Sequence, residues 1–220
     1  MSKKKIGIVG VSGFTGLELI RVLAARDDIE LSLLSSRSLA GTRVKDVFPE
    51  ITLRDDLVFV GEKEEDCSQL DLVFLAMENG KAMELVPKIP CKIIDLSADF
   101  RFLDRKKWEQ IYRMSHICPE KKAIYGLPEL FSEEIKTANL VANPGCFATA
   151  SLLATLPFQK NPHIERIVLD GKTGISGAGR RNGDTNNYNF LSENVIPYKI
   201  TNHRHEAEIQ QFFLSPSLLF

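Results

Sequence analysis

The feature that most restricts the possible folds of this chain is a glycine-rich turn between a predicted strand and a predicted helix. Residues 5–9 form a β-branched run that leads into Gly10, and the apolar side chains of residues 14–25 recur at helical spacing. We expect Gly10 to permit a tight turn, Gly13 to let backbone N–H groups approach a diphosphate, and Gly16 to allow close packing of helix on strand. Because a helix N-terminus favours an anion, this G-x-x-G-x-x-G pattern predicts a dinucleotide-phosphate site rather than an ordinary βα turn.

The rest of the sequence alternates short apolar runs with helical patterns. Strands are predicted at residues 29–34, 70–76, 91–95 and 140–142, and a helix at residues 80–86. The alternation indicates βαβ units, so we expect an α/β fold in which residues 1–143 form a Rossmann-type parallel sheet that binds a dinucleotide. Residues 144–220 differ in pattern from the first part and are expected to form a second domain. Its predicted parts are a helix at 147–156, a strand at 164–169 and a long polar loop at 171–189.

Charge and composition argue against several classes of protein. The chain has 28 basic and 29 acidic residues, a balance that argues against electrostatic capture of nucleic acid or an anionic membrane. The sequence shows no apolar run near the roughly 18 residues of a membrane span and no recognisable targeting segment. The cysteines are too widely spaced for a disulfide framework or a zinc site, so we expect a cytoplasmic protein without a metal. They are Cys67, Cys91, Cys118 and Cys146.

The end of the second predicted strand indicates which dinucleotide binds. An NAD site places an Asp or Glu there to hold the ribose hydroxyls, whereas this strand ends in Ser35, Ser36 and Arg37. Hydroxyl groups and a guanidinium suit a 2′-phosphate, because Arg forms bidentate, charge-assisted hydrogen bonds with it. The sequence therefore favours NADP(H); the alternative is a polar loop with a solvent-facing Arg.

Cys146 is the candidate nucleophile. It follows a predicted strand and a Pro-Gly turn and falls at a predicted helix N-terminus, a position that stabilises a thiolate. His203 and His205 are the candidate base and acid for thiol-dependent acyl transfer, although they also fit a solvated helix start. Arg204, which lies between them, suits an anionic substrate. The remaining histidines are expected on the surface or in loops; they are His116 and His163.

Six short motifs occur in order along the chain. They are residues 10–16, 95–101, 125–129, 143–146, 176–180 and 203–205. Together they resemble the N-acetyl-gamma-glutamyl-phosphate reductase family, which is related to aspartate-semialdehyde dehydrogenase and, more distantly, to glyceraldehyde-3-phosphate dehydrogenase. The resemblance extends over essentially the whole chain. It implies an enzyme of arginine biosynthesis that uses NADPH to reduce N-acetyl-L-glutamyl 5-phosphate to N-acetyl-L-glutamate 5-semialdehyde and phosphate, through a cysteine thioester.

The resemblance also implies roles for individual residues. Cys146 would attack the acyl phosphate, and a histidine would act as base and acid; by position this is His205, with His203 nearer the substrate, and the choice stays open. The cofactor-binding residues are Gly10, Ser12, Gly13, Phe14, Thr15, Gly16, Ser35, Ser36, Arg37, Ser176 and Gly177. The substrate-binding residues are Asp99, Arg101, Asn143, Arg180 and Arg204. Alternatively, Asp99 caps a turn and Arg180 is a solvated loop residue.

Members of the family are usually considerably longer than this chain, so the resemblance implies that residues 144–220 form an incomplete α+β catalytic domain. Two alternatives therefore stay open: the same chemistry on an aminoadipyl or aspartyl phosphate, and a non-catalytic NADP-binding remnant. Residues 212–220 are rich in apolar side chains that the longer family would cover. We expect an exposed apolar patch or sheet edge there, which would favour self-association, and we expect a homo-oligomer.

Overall fold

Two compact units make up the chain, a first unit of Met1–Asn143 and a second unit of Pro144–Phe220. The computed structural model describes residues 2–61, 64–158, 163–179, 191–200, 202–213 and 218–219. In these parts of the chain we find no helix that combines the length and the apolar character needed to cross a bilayer.

A six-stranded parallel sheet forms the centre of the first unit. Its strands are β1 (Lys4–Val9), β2 (Ile29–Ser35), β3 (Leu72–Leu75), β4 (Lys92–Asp95), β5 (Ile124–Tyr125) and β6 (Leu140–Ala142). They lie in the order β2-β1-β3-β4-β6-β5, and every neighbouring pair is parallel. The predicted α/β fold with a Rossmann-type parallel sheet is therefore confirmed. All the strands end at the same edge of the sheet, where ligands of such folds bind.

The described part of the first unit also contains five α-helices. They are α1 (Phe14–Ala24), α2 (Val44–Val47), α3 (Ala82–Leu85), α4 (Arg105–Tyr112) and α5 (Pro128–Thr137), with 3-10 turns at Glu64–Gln69 and Val86–Lys88. Ile20 of α1 is fully buried in one cluster with Ile8 of β1 and Leu34 of β2. This apolar contact packs the first helix against the two strands that flank the glycine-rich turn.

Helices α4 and α5 and strand β5 were not predicted from the sequence. Helix α4 begins with a run of basic residues, which gives no helical pattern of apolar residues. Two contacts stabilise it: the Asp104 carboxylate accepts the Lys106 N–H at 2.9 Å, and Trp108 is fully buried. Helix α5 begins with Pro128, a residue favoured in the first helical turn. Strand β5 has two residues, which is too short to show periodicity, and its existence depends on pairing with β6.

His116 lies in the loop between α4 and β5, as one of the two expectations had it, but it is not on the surface. Its ring is buried, lies 5.3 Å from the Trp108 ring and 5.5 Å from the Phe100 ring, and makes a 2.9 Å hydrogen bond from Nε2 to the Asp99 carbonyl. The Cys118 N–H also donates to its Nδ1 at 3.3 Å, so both ring nitrogens have partners, and the sequence alone does not reveal them. His163 is exposed, as expected.

The second unit contains helix α6 (Cys146–Thr155), strand β7 (Ile167–Val168), helix α7 (Arg204–Gln210) and strand β8 (Leu218–Leu219), with 3-10 turns at Leu156–Phe158 and Ile175–Ala178. Strands β7 and β8 pair in parallel. The strand predicted at residues 164–169 is thus shorter than expected. Residues 180–190 of the polar loop lie outside the described residues. So does most of the apolar patch expected at residues 212–220, of which only Phe212 and Phe213 have described side chains, both partly buried.

Candidate active site

The glycine-rich turn joins β1 to α1 at the carboxyl edge of the sheet. Gly10 has a φ of +89°, and a Cβ there would lie 2.5 Å from the Ala76 carbonyl oxygen. A Cβ on Gly16 would lie 2.5 Å from the Val11 Cα, so the close approach of α1 to the end of β1 requires a glycine. Gly13 differs from both, because no atom lies within 4 Å of the position of a Cβ. The turn therefore leaves open space in front of the first residues of α1.

The residues around this open space carry few side chains that would oppose an anion. Gly13 is the N-cap of α1 in extended conformation, and the first turn of the helix contains no acidic residue. Phe14 and Thr15 are exposed and Ser12 is partly buried. The N-terminus of α1 therefore carries a partial positive charge with no carboxylate in its first turn, and such a terminus suits a phosphate group.

The end of β2 lies beside the same turn. The Ser35 carbonyl accepts hydrogen bonds from the N–H groups of Gly10 and Val11, each at 3.0 Å. The Ser35 hydroxyl is buried and has no hydrogen-bond partner, whereas the buried Ser36 hydroxyl contacts Ser38 Oγ and the Leu39 N–H, both at 3.3 Å. Ser36 thus closes the turn after β2.

Arg37 is exposed at the tip of the turn that follows β2. Ser35 and Arg37 are consequently the members of the predicted 2′-phosphate group that are best placed to meet a ligand, one with a hydroxyl lacking a partner and the other with an exposed guanidinium.

The predicted substrate residues of the first unit lie at the ends of β4 and β6 and bond mainly to the backbone. Arg101 is buried and donates to the Asn143 carbonyl at 2.7 Å and the Leu96 carbonyl at 2.8 Å. Both carboxylate oxygens of Asp99 accept hydrogen bonds from backbone N–H groups. Asp95, at the end of β4, is fully buried and accepts from the N–H and hydroxyl of Ser97. Burial raises the pKa of Asp95 to about 7, because the folded protein solvates its charged form poorly.

In the second unit, Cys146 is the first residue of α6 and is exposed. Gly145 is the N-cap of α6, and the first turn of α6 contains no acidic residue. No carboxylate of that turn therefore offsets the effect of the helix dipole on the thiol. The Gly145 N–H donates to Glu208 Oε1 at 2.8 Å, and Glu208 is completely buried in α7. This hydrogen bond ties the start of α6 to α7, the helix that also carries His205.

His205 lies directly against Gly145. A Cβ at Gly145 would overlap Nε2 of the imidazole and lie 2.7 Å from its Cε1 and 2.8 Å from its Cδ2. The ring therefore occupies the space that a side chain at residue 145 would fill, next to Cys146 in sequence. This contact places the predicted base against the residue that precedes the predicted nucleophile at the beginning of α6.

His203 has a different environment from His205. It is the N-cap of α7, and its Nδ1 accepts the His205 N–H at 3.1 Å. Its ring lies 4.8 Å from the His205 ring and 5.4 Å from the Phe147 ring. Burial, assisted by the positive charges of His205 and Lys199, lowers the pKa of His203 to about 4. Above that pH the imidazole is neutral, which its Nδ1 requires in order to accept the backbone hydrogen bond.

Three of the remaining predicted residues of the second unit are exposed. Ser176 and Gly177 lie in the 3-10 turn Ile175–Ala178, and Arg204 is the first residue of α7. Arg180 lies outside the described residues.

Sequence reasoning missed Glu208. Its signal was its position three residues after His205, which puts both on one face of α7, immediately before the buried Ile209. Tyr198 was also missed. Its ring lies 5.7 Å from the His203 ring, and burial together with the negative charge of a Cys146 thiolate raises the pKa of its hydroxyl.

Comparison with known families matches both units. Residues 5–138 match the family described as "Semialdehyde dehydrogenase, NAD binding domain", and residues 146–216 match "Semialdehyde dehydrogenase, dimerisation domain". Aspartate semialdehyde dehydrogenase II from Vibrio cholerae shares the fold, with a TM-score of 0.68 and 18% identity over 100% of this chain and 68% of that chain. The corresponding enzyme of Candida albicans, solved with NADP, has a TM-score of 0.62 and 18% identity over 94% of this chain and 58% of that chain.

Two curated relatives carry the same name. The N-acetyl-gamma-glutamyl-phosphate reductase of Methanosarcina acetivorans is 46% identical over 211 residues, which are 94% of this chain and 62% of that protein. The protein of the same name from Methanobrevibacter smithii is 42% identical over 209 residues, 94% of this chain and 61% of that protein. The chain thus spans less than two thirds of the length of these relatives. The resemblance inferred from the six motifs is confirmed, and the chain belongs to the semialdehyde dehydrogenase family.

Proposed function

We propose that this chain reduces N-acetyl-L-glutamyl 5-phosphate with NADPH to N-acetyl-L-glutamate 5-semialdehyde and phosphate, as a step of arginine biosynthesis. The observation that carries the proposal is the start of α6, where exposed Cys146 follows a glycine against which the His205 ring packs. The reaction is the one named for the relatives from Methanosarcina acetivorans and Methanobrevibacter smithii.

The first unit fits NADP(H). The open space at Gly13 and the acid-free start of α1 suit the diphosphate. The Ser35 hydroxyl, buried without a partner, and the exposed Arg37 suit a 2′-phosphate, and no carboxylate stands at the end of β2 to repel it. When bound, NADPH supplies the hydride that reduces the acyl group.

The second unit supplies the nucleophile and the proton transfers. His205 accepts the Cys146 thiol proton, and the thiolate attacks the carbonyl carbon of the acyl phosphate. The bond from that carbon to the phosphate oxygen breaks, inorganic phosphate leaves, and a thioester remains on Cys146. After reduction, the carbon–sulfur bond of the hemithioacetal breaks to give the aldehyde. His205 then returns the proton to the sulfur.

His203 and Glu208 position this pair. His203 stays neutral and uses Nδ1 to cap α7, so it fixes the His205 backbone and takes no part in proton transfer. Glu208 holds the Gly145 N–H and thereby fixes the start of α6 relative to α7. Arg204, exposed next to both histidines, is the residue of this unit that we assign to the substrate's anionic groups.

Assembly and location belong to the same proposal. The match of residues 146–216 to a dimerisation domain supports a homo-oligomer. All four cysteines are free thiols, which supports a cytoplasmic location, where thiols stay reduced.

The experiment that tests the function compares Cys146→Ser with Cys91→Ser. Cys91 is a matched control, because it is a partly exposed thiol whose pKa is raised by burial and by Asp71. With N-acetylglutamate semialdehyde, phosphate and NADP as reactants, Cys146→Ser should abolish turnover and keep NADPH binding, while Cys91→Ser keeps both. In the wild type, iodoacetamide should modify Cys146 before Cys91. NADPH binding without turnover by the wild type would contradict the proposal, as would faster turnover of aspartyl or aminoadipyl analogues.

A further inference from the structure

The Asp99 carboxylate is buried, 2% exposed, and is directed at the backbone of another segment. Its Oδ1 accepts the Gly80 N–H at 2.7 Å, and its Oδ2 accepts the Gly80 N–H at 2.9 Å and the Met83 N–H at 3.3 Å. Met83 lies in the first turn of α3 and Gly80 directly precedes its N-cap, Lys81, which makes no side-chain capping bond. Asp99 thus caps the start of α3, although it lies sixteen residues after Met83 and nineteen after Gly80.

A second contact runs in the opposite direction between the same two segments. The Asn79 Oδ1 accepts the Ala98 N–H at 3.0 Å. We call this set of hydrogen bonds, which joins residues 79, 80 and 83 to residues 98 and 99, the 79–99 clamp. Because a side chain of each segment accepts from the backbone of the other, neither segment can shift without breaking a buried hydrogen bond.

The Asp99 side of the 79–99 clamp is anchored independently. The Asp99 N–H donates to Ser97 Oγ at 3.1 Å, and the Asp99 carbonyl meets His116 Nε2 at 2.9 Å. The fully buried Trp108 donates from Nε1 to the Ala98 carbonyl at 2.9 Å. The turn after β4 is therefore the fixed part of the clamp, and the segment of residues 77–83 is the part that it holds.

The 77–83 segment begins next to the glycine-rich turn. The Ala76 N–H donates to the Val9 carbonyl at 2.8 Å, which extends the pairing of β3 with β1. A Cβ on Gly10 would lie 2.5 Å from the Ala76 carbonyl oxygen and 3.3 Å from Met77 Cγ. The segment thus packs against the turn at the carboxyl edge of the sheet, where dinucleotides bind in such folds.

We infer that Asp99 is a positioning residue for the cofactor site, which acts through the 79–99 clamp on the 77–83 segment and does not bind substrate. A carboxylate with both oxygens occupied by N–H groups has little capacity left for a ligand, and its charge would repel an acyl phosphate. The inference rests on the proposed function, because it presupposes that the glycine-rich turn binds NADPH.

The test compares Asp99→Asn with Asp104→Asn. The Asn amide has nearly the same shape as the Asp99 carboxylate and keeps one accepting oxygen. Its NH2 group, however, is a donor and faces a backbone N–H that has lost its acceptor. We therefore expect the Kd for NADPH to rise about 5–20-fold. The KM for N-acetylglutamate semialdehyde should stay within about twofold. Asp104 also caps a helix, accepting the Lys106 N–H at 2.9 Å, but it has no bond to the 77–83 segment, so its variant should bind NADPH as the wild type does.

Hydrogen exchange supplies a measurement that does not require cofactor or activity. In Asp99→Asn the Gly80 and Met83 amides should lose protection while the Val9 amide in β1 keeps it. If Asp99→Asn does not fold, Asn79→Ala removes the opposite half of the 79–99 clamp and should raise the NADPH Kd in the same direction.

Two results would overturn the inference: a raised KM with unchanged NADPH Kd, which makes Asp99 a substrate residue, or a lower melting temperature with neither constant changed, which makes it purely structural. A wild type that does not bind NADPH would instead refute the proposed function, and the exchange data would still report whether the clamp forms.

Discussion

Replacing Gly145 with alanine tests how the second unit places its histidine. Gly145 has φ −64° and ψ 151°, a conformation that alanine adopts without strain, so the effect isolates the new methyl group. That methyl would overlap Nε2 of His205 and lie 2.7 Å from Cε1. Ordinary carbon contacts start near 3.5 Å, so the ring must move by about 1 Å.

The expected cost follows from that displacement. Overpacking of this kind costs about 1–3 kcal/mol, and the entropy lost by the unfolded chain returns about 0.4–1 kcal/mol, so Gly145→Ala should lower the free energy of unfolding by about 1–2 kcal/mol. Because a misplacement of about 1 Å can cost roughly 100-fold in rate, kcat should fall by one to two orders of magnitude. Urea unfolding and steady-state kinetics measure the two effects.

Two companion variants make the result interpretable. Gly174→Ala lies in the same unit, where the nearest atom to the new Cβ is Ser176 Oγ at 3.9 Å. It should leave kcat unchanged and raise the free energy of unfolding by about 0.4–1 kcal/mol, through the unfolded-chain entropy alone. In a His205→Ala background the clash partner is gone, so Gly145→Ala should cost no stability there. An equal loss in both backgrounds, or wild-type kcat in the single variant, would refute the argument that the ring packs on Gly145.

Three further predictions concern charge. The folded pKa of Asp95, about 7, lies above its usual value, so the wild type should lose stability as pH rises from about 4 to 7. Asp95→Asn should remove about 2–4 kcal/mol of that dependence in urea titrations at several pH values. The folded pKa of His203, about 4, lies below its usual value, so the wild type should lose about 1–2 kcal/mol as pH falls from 6.5 to 4, a loss absent in His203→Asn, which can still cap α7. Arg37→Ala should weaken NADPH binding by about 10-fold or more and leave NADH binding unchanged, as fluorescence titrations with both cofactors would show.

The start of the sheet was predictable because its signals are local. The β1 run, the three glycines and the helical spacing of α1 each constrain the backbone within a few residues, and the observed helix, Phe14–Ala24, differs from the expected range by one residue. The same holds for Cys146, since a strand followed by Pro and Gly sets where α6 begins.

What could not be predicted depends on contacts between distant residues. Asp99 was expected to bind substrate because it lies in the motif of residues 95–101. Only the fold brings its carboxylate to the Gly80 N–H, nineteen residues away. From the sequence, Glu208 looks like a solvated helix residue. Only the fold shows that it accepts the Gly145 N–H, which lies 63 residues earlier in the chain. Strand β5 exists through its pairing with β6, and a two-residue run carries no periodicity of its own.

The central position of β1 has a consequence for synthesis of the chain. Strand β1 is made before β3, and its Val9 pairs with Leu75 of β3, which the ribosome adds 66 residues later. At about 5–20 residues per second, one edge of β1 stays uncovered for roughly 3–13 s after the strand is made. Its Ile8 and Val9 are almost wholly buried in the finished sheet. The nascent chain therefore carries an apolar strand with an open edge during this interval, which makes it a target for chaperones that hold extended apolar segments.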